Sequence, residues 1–299
     1  MHRLIAACIA ALAATPALAQ TEHRVLPRPD GSSIAFSVDT PAGKPDGILV
    51  LAQGSGCQPT TANANFAVMR QAFPRYVTVM VEKYGIASDA VIADGFTDCP
   101  AAFHAGHTVA QRVADYVSVL DSLKRRPDTP LVLFGGSEGG LAVAMLAEQA
   151  APTATILLSS ATGIPFADMV LSTVPPEGHG SIRAGFAAAR SDPQGRTLFA
   201  GSSHRFWADI LDRIPADYMA RSDTQFLIVQ GDRDTSSPVA AARATTDRFA
   251  TAGKCNLTYW EFPALDHGME APNGTSHLAD IAEAIAGWVA GIGPDTGTC

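Results

Sequence analysis

Five short runs, Ile48 to Ala52, Val77 to Val81, Leu131 to Phe134, Ile156 to Leu158 and Phe226 to Val229, are almost uninterrupted by polar side chains. A strand with one wet face alternates, whereas a run that is apolar at nearly every position needs cover on both faces. The cover is written between the runs. Val109, Val113, Tyr116, Val117, Leu120 and Leu123 recur at helical spacing, as do Leu278, Ile281, Ile285, Trp288 and Ile292. Buried strands alternating with amphipathic helices predict an α/β protein with a mostly parallel central sheet and helices on both faces. Arg24 to Leu26 and Ser33 to Val38 flank the turn Pro29-Asp30-Gly31 and predict an antiparallel hairpin at the sheet edge.

The interval from Ser160 to Thr224 breaks the alternation, because a crossover needs far fewer residues. It carries Pro165, Pro175-Pro176, Gly178, Gly180, Pro193 and Pro215, and residues 163–222 are read as an inserted cap of short helices over one end of the sheet. A meandering surface loop is the alternative. Residues 20–299, with that insertion included, are read as a single domain, since α/β folds of this length often form one unit.

The first nineteen residues read as an address. His2 and Arg3 make a basic start, Leu4 to Ala14 is too short to span a bilayer, and Ala17-Leu18-Ala19 has the small residues of a signal-peptidase site. Cleavage is expected after Ala19, with export to the periplasm or the medium; no later segment reads as a membrane span. Export removes Cys8 and leaves Cys57, Cys99, Cys255 and Cys299 in an oxidising compartment, where two disulfides are expected. Three connectivities exist. Cys57 with Cys99 and Cys255 with Cys299 is preferred because each pair stays within one half of the chain. A zinc site lacks any CxxC or paired CxxH, and no metal is expected. His104-Ala-Gly-His107 is read as a polar loop rather than a metal site. Asn273-Gly274-Thr275 is a sequon only in a eukaryotic secretory setting, and the alanine-rich leader looks bacterial. The formal net charge of −8 repels phosphate backbones, so nucleic acid is not an expected partner.

The most specific signal is the stretch from Leu131 through Gly135-Gly136-Ser137-Glu138-Gly139-Gly140 to Leu141, a GxSxG between a buried strand and an alanine-rich helix. The chain has to turn sharply at Ser137, and small neighbours let the backbone take a strained turn that thrusts the hydroxyl outward. The helix starting near Glu138 aims free amides at the same spot. A hydroxyl needs a base, and the base needs an orienting carboxylate. Both follow: a buried strand runs into Gly231-Asp232-Arg233-Asp234, and another runs into Asp266-His267-Gly268. At strand C-termini these turns lie beside Ser137.

With Ser, Asp and His in that order on successive post-strand turns, and with GGSEGG, GDRDxxxP and DHG, the chain resembles the α/β-hydrolase superfamily from about Asp46 to Ile292. The resemblance implies a Ser137–Asp234–His267 triad. Asp234 fits the family's GxxD pattern better than Asp232, and Asp266 is read as a local turn residue. It also implies an oxyanion hole from the backbone amides of Ser55, in Gln53-Gly54-Ser55-Gly56, and Glu138; Gln53 stands where a histidine is usual. The Glu138 side chain is read as facing solvent on the first helical turn, with a place in the pocket wall, receiving a cationic group, as the alternative. Phe166, Met169, Phe186, Phe199, Phe206 and Trp207 are read as the cap's own core, and alternatively as an acyl pocket. The implied activity is hydrolysis of carboxylic esters through an acyl-enzyme, without metal or organic cofactor, on a small ester or short peptide substrate. A serine peptidase akin to the prolyl oligopeptidase group and a catalytically silent binding protein on the same fold are the competing expectations.

Overall fold

The N-terminal hairpin forms where the turn residues place it: in the computed structural model, which describes residues 20–293, β1 (Gln20–Pro27) pairs antiparallel with β2 (Ser33–Thr40). The apolar runs become β3 (Gly47–Ala52), β4 (Tyr76–Val81), β5 (Leu131–Gly136) and β6 (Ala154–Leu158). Two short strands, β7 (Leu198–Phe199) and β8 (Ser202–Ser203), precede β9 (Gln225–Gly231) and β10 (Leu257–Phe262). The main sheet has eight strands in the order β1-β2-β4-β3-β5-β6-β9-β10. From β4 to β10 every neighbouring pair is parallel, and β2 joins β4 antiparallel.

The helices are α1 (Ala64–Ala72), α2 (Ala101–Gly106), α3 (Val109–Ser122), α4 (Glu138–Ala150), α5 (Phe166–Ser172), α6 (His179–Ser191), α7 (His204–Ile210), α8 (Pro215–Met219), α9 (Val239–Thr251) and α10 (Leu278–Ala290). Every residue of β3 and β6 is buried, which is why neither run alternates. Successive residues serve two cores. Val50 and Leu133 pack on the side of α3 and α4, whereas Leu49, Leu51, Val132 and Phe134 pack on the side of α1 and α10. Each such side chain removed from water contributes about 1.5–3 kcal/mol, so the central strands are the most firmly held part of the molecule.

The interval 163–222 holds α5, α6, α7, α8 and the β7–β8 pair. Phe186, Phe199, Phe206 and Trp207 form a ring cluster within it, with centroid separations of 5.3 Å for Phe186–Trp207 and 5.5 Å for Phe206–Trp207. The expected leader, residues 1–19, lies outside the described residues. Among the described residues no helix is long and apolar enough to cross a membrane. Cys57 and Cys99 form a disulfide. Cys255 is disulfide-bonded too, and Cys299, its expected partner, lies outside the described residues.

Candidate active site

Parallel strands end on one edge of a sheet, and four of those ends supply the candidate site. The loop Gln53-Gly54-Ser55-Gly56 follows β3, Ser137 follows β5, Asp234 follows β9 and His267 follows β10. Ser137 occupies φ 54°, ψ −124°, a region that costs a residue with a Cβ about 1–3 kcal/mol. The turn is held from several sides. Ser137 N donates to Leu158 O at 2.9 Å, while Ser137 O accepts from Ser160 Oγ at 2.8 Å and from Gly140 N at 2.9 Å. Glycine is required beside it: a Cβ on Gly139 would stand 2.1 Å from Ala52 O, and one on Gly135 would stand 2.2 Å from Gly139 O. The small residues thus let α4 start directly against β3 and β5.

Asp234 is buried and fully engaged. Its Oδ1 accepts from the amides of Ser236 and Ser237, each at 2.8 Å, and its Oδ2 accepts from Gln230 Nε2 at 2.9 Å. Both oxygens also face His267 Nδ1, at 3.0 and 2.9 Å. That contact puts the Nδ1 proton toward the carboxylate and presents Nε2 as the basic nitrogen. The His267 side chain is 35% exposed and that of Asp234 0%, so the imidazole reaches the surface of the site and the acid does not. Nε2 makes no hydrogen bond among the described residues, to Ser137 or otherwise; Ser137 and His267 are brought together as walls of one cavity of about 160 Å³. Asp232 instead caps the amide of Ala264 at 2.7 Å, and Asp266 accepts from the amides of Gly268 and Glu270, both at 2.9 Å, so each acts locally.

Ser137 also borders a second cavity of about 340 Å³, whose walls include Ser55, Glu138, Phe166, Met169, Phe206 and Trp207. Ser137 therefore borders both the cavity that holds His267 and one walled largely by aromatic and aliphatic side chains. Phe166, Phe206 and Trp207 pack within the segment 163–222 and also line this cavity, Met169 lines it, and Phe186 and Phe199 pack without lining it. A cavity of equal size between β2 and α1, lined by Asp39, Arg70 and Tyr76 among others, has no serine, cysteine or histidine in its wall. The amides of Ser55 and Glu138 donate to no protein acceptor among the described residues, and both residues border the larger cavity with Ser137.

Two expectations need correction. The Glu138 side chain does not face solvent: it is buried, with Oε1 3.3 Å from Lys83 Nζ and 3.3 Å from Arg112 Nη1. Lys83, just past β4, and Arg112 on α3 close over the start of α4 and take up the carboxylate. His104-Ala-Gly-His107 is not a loop but α2 and its C-cap. His107 is buried between the rings of Phe103 and Phe206, at centroid distances of 4.5 and 5.4 Å. Its Nε2 lies 3.8 Å from Glu138 Oε1, beyond hydrogen-bonding reach.

Lys83 and Arg112 had no place in the sequence reading, and His107 entered it only as part of a polar loop. The available signal was Glu82-Lys83, two charges set immediately after the apolar run of β4, where a buried strand meets the functional edge. Burial disfavours the charged form of Glu138, but the Lys83 and Arg112 cations outweigh it and hold the carboxyl well below the usual carboxylate range. Burial pushes the Lys83 ammonium down to about 8, with Glu138 limiting the fall. Burial pushes the His107 imidazole down to about 4, so it is neutral at neutral pH.

No protein-family model matches the chain, and no curated protein matches it. Solved structures do. Est1E from Butyrivibrio proteoclasticus, with ferulic acid bound, aligns over 88% of this chain and 96% of its own at 18% identity and a TM-score of 0.61. A puromycin hydrolase aligns over 92% of this chain and 39% of its own at 17% identity and a TM-score of 0.64. A protein from Xanthomonas campestris, described as an α/β serine hydrolase without a lid, aligns over 91% and 94% at 15% identity and a TM-score of 0.53. The chain has the α/β-hydrolase fold.

Proposed function

We propose that the protein is a serine hydrolase that cleaves carboxylic esters through an acyl-enzyme. The observation that carries the reading is the buried Asp234 carboxylate on His267 Nδ1, with the strained Ser137 elbow on the wall of the same cavity. Ser137 Oγ attacks the acyl carbonyl while His267 Nε2 takes its proton. Asp234 fixes the tautomer and stabilises the imidazolium. The amides of Ser55 and Glu138 receive the oxyanion. The proton on Nε2 then passes to the departing alkoxide, and water repeats the sequence to release the acid.

The larger cavity favours an ester over a peptide amino terminus. Glu138, the acid on its wall, already faces Lys83 and Arg112 and is not free to receive an ammonium. The capping segment 163–222 supplies Phe166, Met169, Phe206 and Trp207 to that wall and is proposed to receive the acyl group. The Cys57–Cys99 disulfide supports an oxidising, exported setting, in keeping with the leader read in residues 1–19.

The test is hydrolysis of a series of 4-nitrophenyl acyl esters beside aminoacyl anilides, together with fluorophosphonate labelling. Ser137→Ala is expected to lower kcat by about a millionfold, as removal of the serine does in other triads, and to abolish labelling. Ester turnover unchanged in that variant would refute the assignment. Anilide turnover exceeding ester turnover would make the enzyme a peptidase.

A further inference from the structure

Three full charges lie buried beside the proposed catalytic centre without touching its reacting atoms: Lys83, Arg112 and Glu138, with side chains 0%, 1% and 2% exposed. Such a group is a poor source of stability, because apolar side chains of the same volume commonly do as well or better. Its hydrogen bonds point elsewhere. Lys83 Nζ donates to Gly54 O at 2.6 Å and to Gly56 O at 2.8 Å, and Arg112 Nη2 donates to Gln53 O at 2.6 Å. Three carbonyls of the loop after β3 are thus drawn to one side by two cations.

In a trans peptide the carbonyl and the following N–H point in opposite directions. With Gly54 O held on Lys83, the Ser55 N–H faces away from the charge cluster. The same construction governs the second donor: Ser137 O is held by Ser160 Oγ and Gly140 N, which turns the Glu138 N–H the other way. We infer that Lys83, backed by Arg112 and anchored by the Glu138 carboxylate, is a positioning residue that sets the oxyanion loop by holding its carbonyls. Glu138 then has two parts in one residue: its amide is an oxyanion donor, and its side chain fixes the cation that orients the other donor. This rests on the hydrolase reading above. It explains a cost that fold stability does not require, since a loop with glycines at positions 54 and 56 has many conformations and needs an external clamp to keep one.

The experiment compares the wild type with Lys83→Met and Glu138→Gln on a 4-nitrophenyl ester, together with affinity for a trifluoromethyl ketone, whose adduct carries a tetrahedral oxyanion. Lys83→Met is expected to lower kcat about 100-fold with KM within threefold, and to weaken the ketone in parallel, as loss of an oxyanion donor does. Glu138→Gln keeps the amide and loosens the anchor, and is expected to lower kcat about tenfold; it carries the test if Lys83→Met does not fold. A folded variant of either kind with kcat within threefold of wild type, or with KM changed and ketone affinity intact, overturns the inference and leaves the hydrolase reading standing. A wild type that neither turns over esters nor labels at Ser137 overturns both.

Discussion

Protonation of His107 should govern acid stability. The ring is 3% exposed, lies between Phe103 and Phe206, and is faced by Glu138 from α4, Lys83 from the end of β4 and Arg112 from α3. Its ordinary value of 6.5 falls to about 4 in the folded protein, so between those values the unfolded chain binds the proton and the folded one does not. The contribution to stability is therefore full above pH 6.5 and is lost as pH falls toward 4. At 1.36 kcal/mol per pH unit this amounts to about 3 kcal/mol, most of it lost between pH 7 and pH 4.5. His107→Phe keeps a flat ring in the stack and removes the titration. Urea unfolding of both proteins at pH 7 and pH 4.5 isolates the effect, because carboxylates common to the two cancel in the difference. At a slope of about 3 kcal/mol/M the wild-type midpoint should fall by about 0.8 M more than that of the variant. Equal falls in the two proteins would refute the reasoning.

The Cys57–Cys99 bridge spans a sequence separation of 42 residues, and its removal in a Cys57→Ser, Cys99→Ser double variant should cost about 4 kcal/mol in the chain-entropy model. Thermal unfolding of the oxidised and bridge-free proteins checks this, and equal midpoints would contradict it. Asp234→Asn should lower kcat by about four orders of magnitude with KM little changed, by analogy with other serine triads, because the amide no longer enforces the tautomer with the proton on Nδ1. A loss smaller than tenfold in the same ester assay would assign the orienting role to another acid.

Legibility followed the range of the interactions. The central strands were legible because burial on both faces leaves no freedom at any position, and β3 and β6 carry that mark along their whole length. The elbow at Ser137 was legible because close backbone approaches admit only small residues, as the 2.1 Å clearance at Gly139 makes plain. Asp234 and His267 stood out because each ends a strand whose neighbours also end in chemistry, so placing one strand end places the next.

Side chains whose meaning depends on distant partners were not legible. Glu138 looks from its neighbours like an acid on an exposed first turn, and only the approach of Lys83 from β4 and Arg112 from α3 turns it inward. His107 sits in a stretch that reads as polar, and becomes a buried neutral ring because α2 and α7 close Phe103 and Phe206 over it. The sequence by itself determined the periodicity of burial, the order of the strands' functional ends and the residues that sharp turns require, since these are local constraints of backbone and side-chain size. The tertiary structure alone decided which charges meet and which carbonyls they hold, because a Coulomb interaction or a hydrogen bond between residues 29 or 55 positions apart leaves no local trace in the chain.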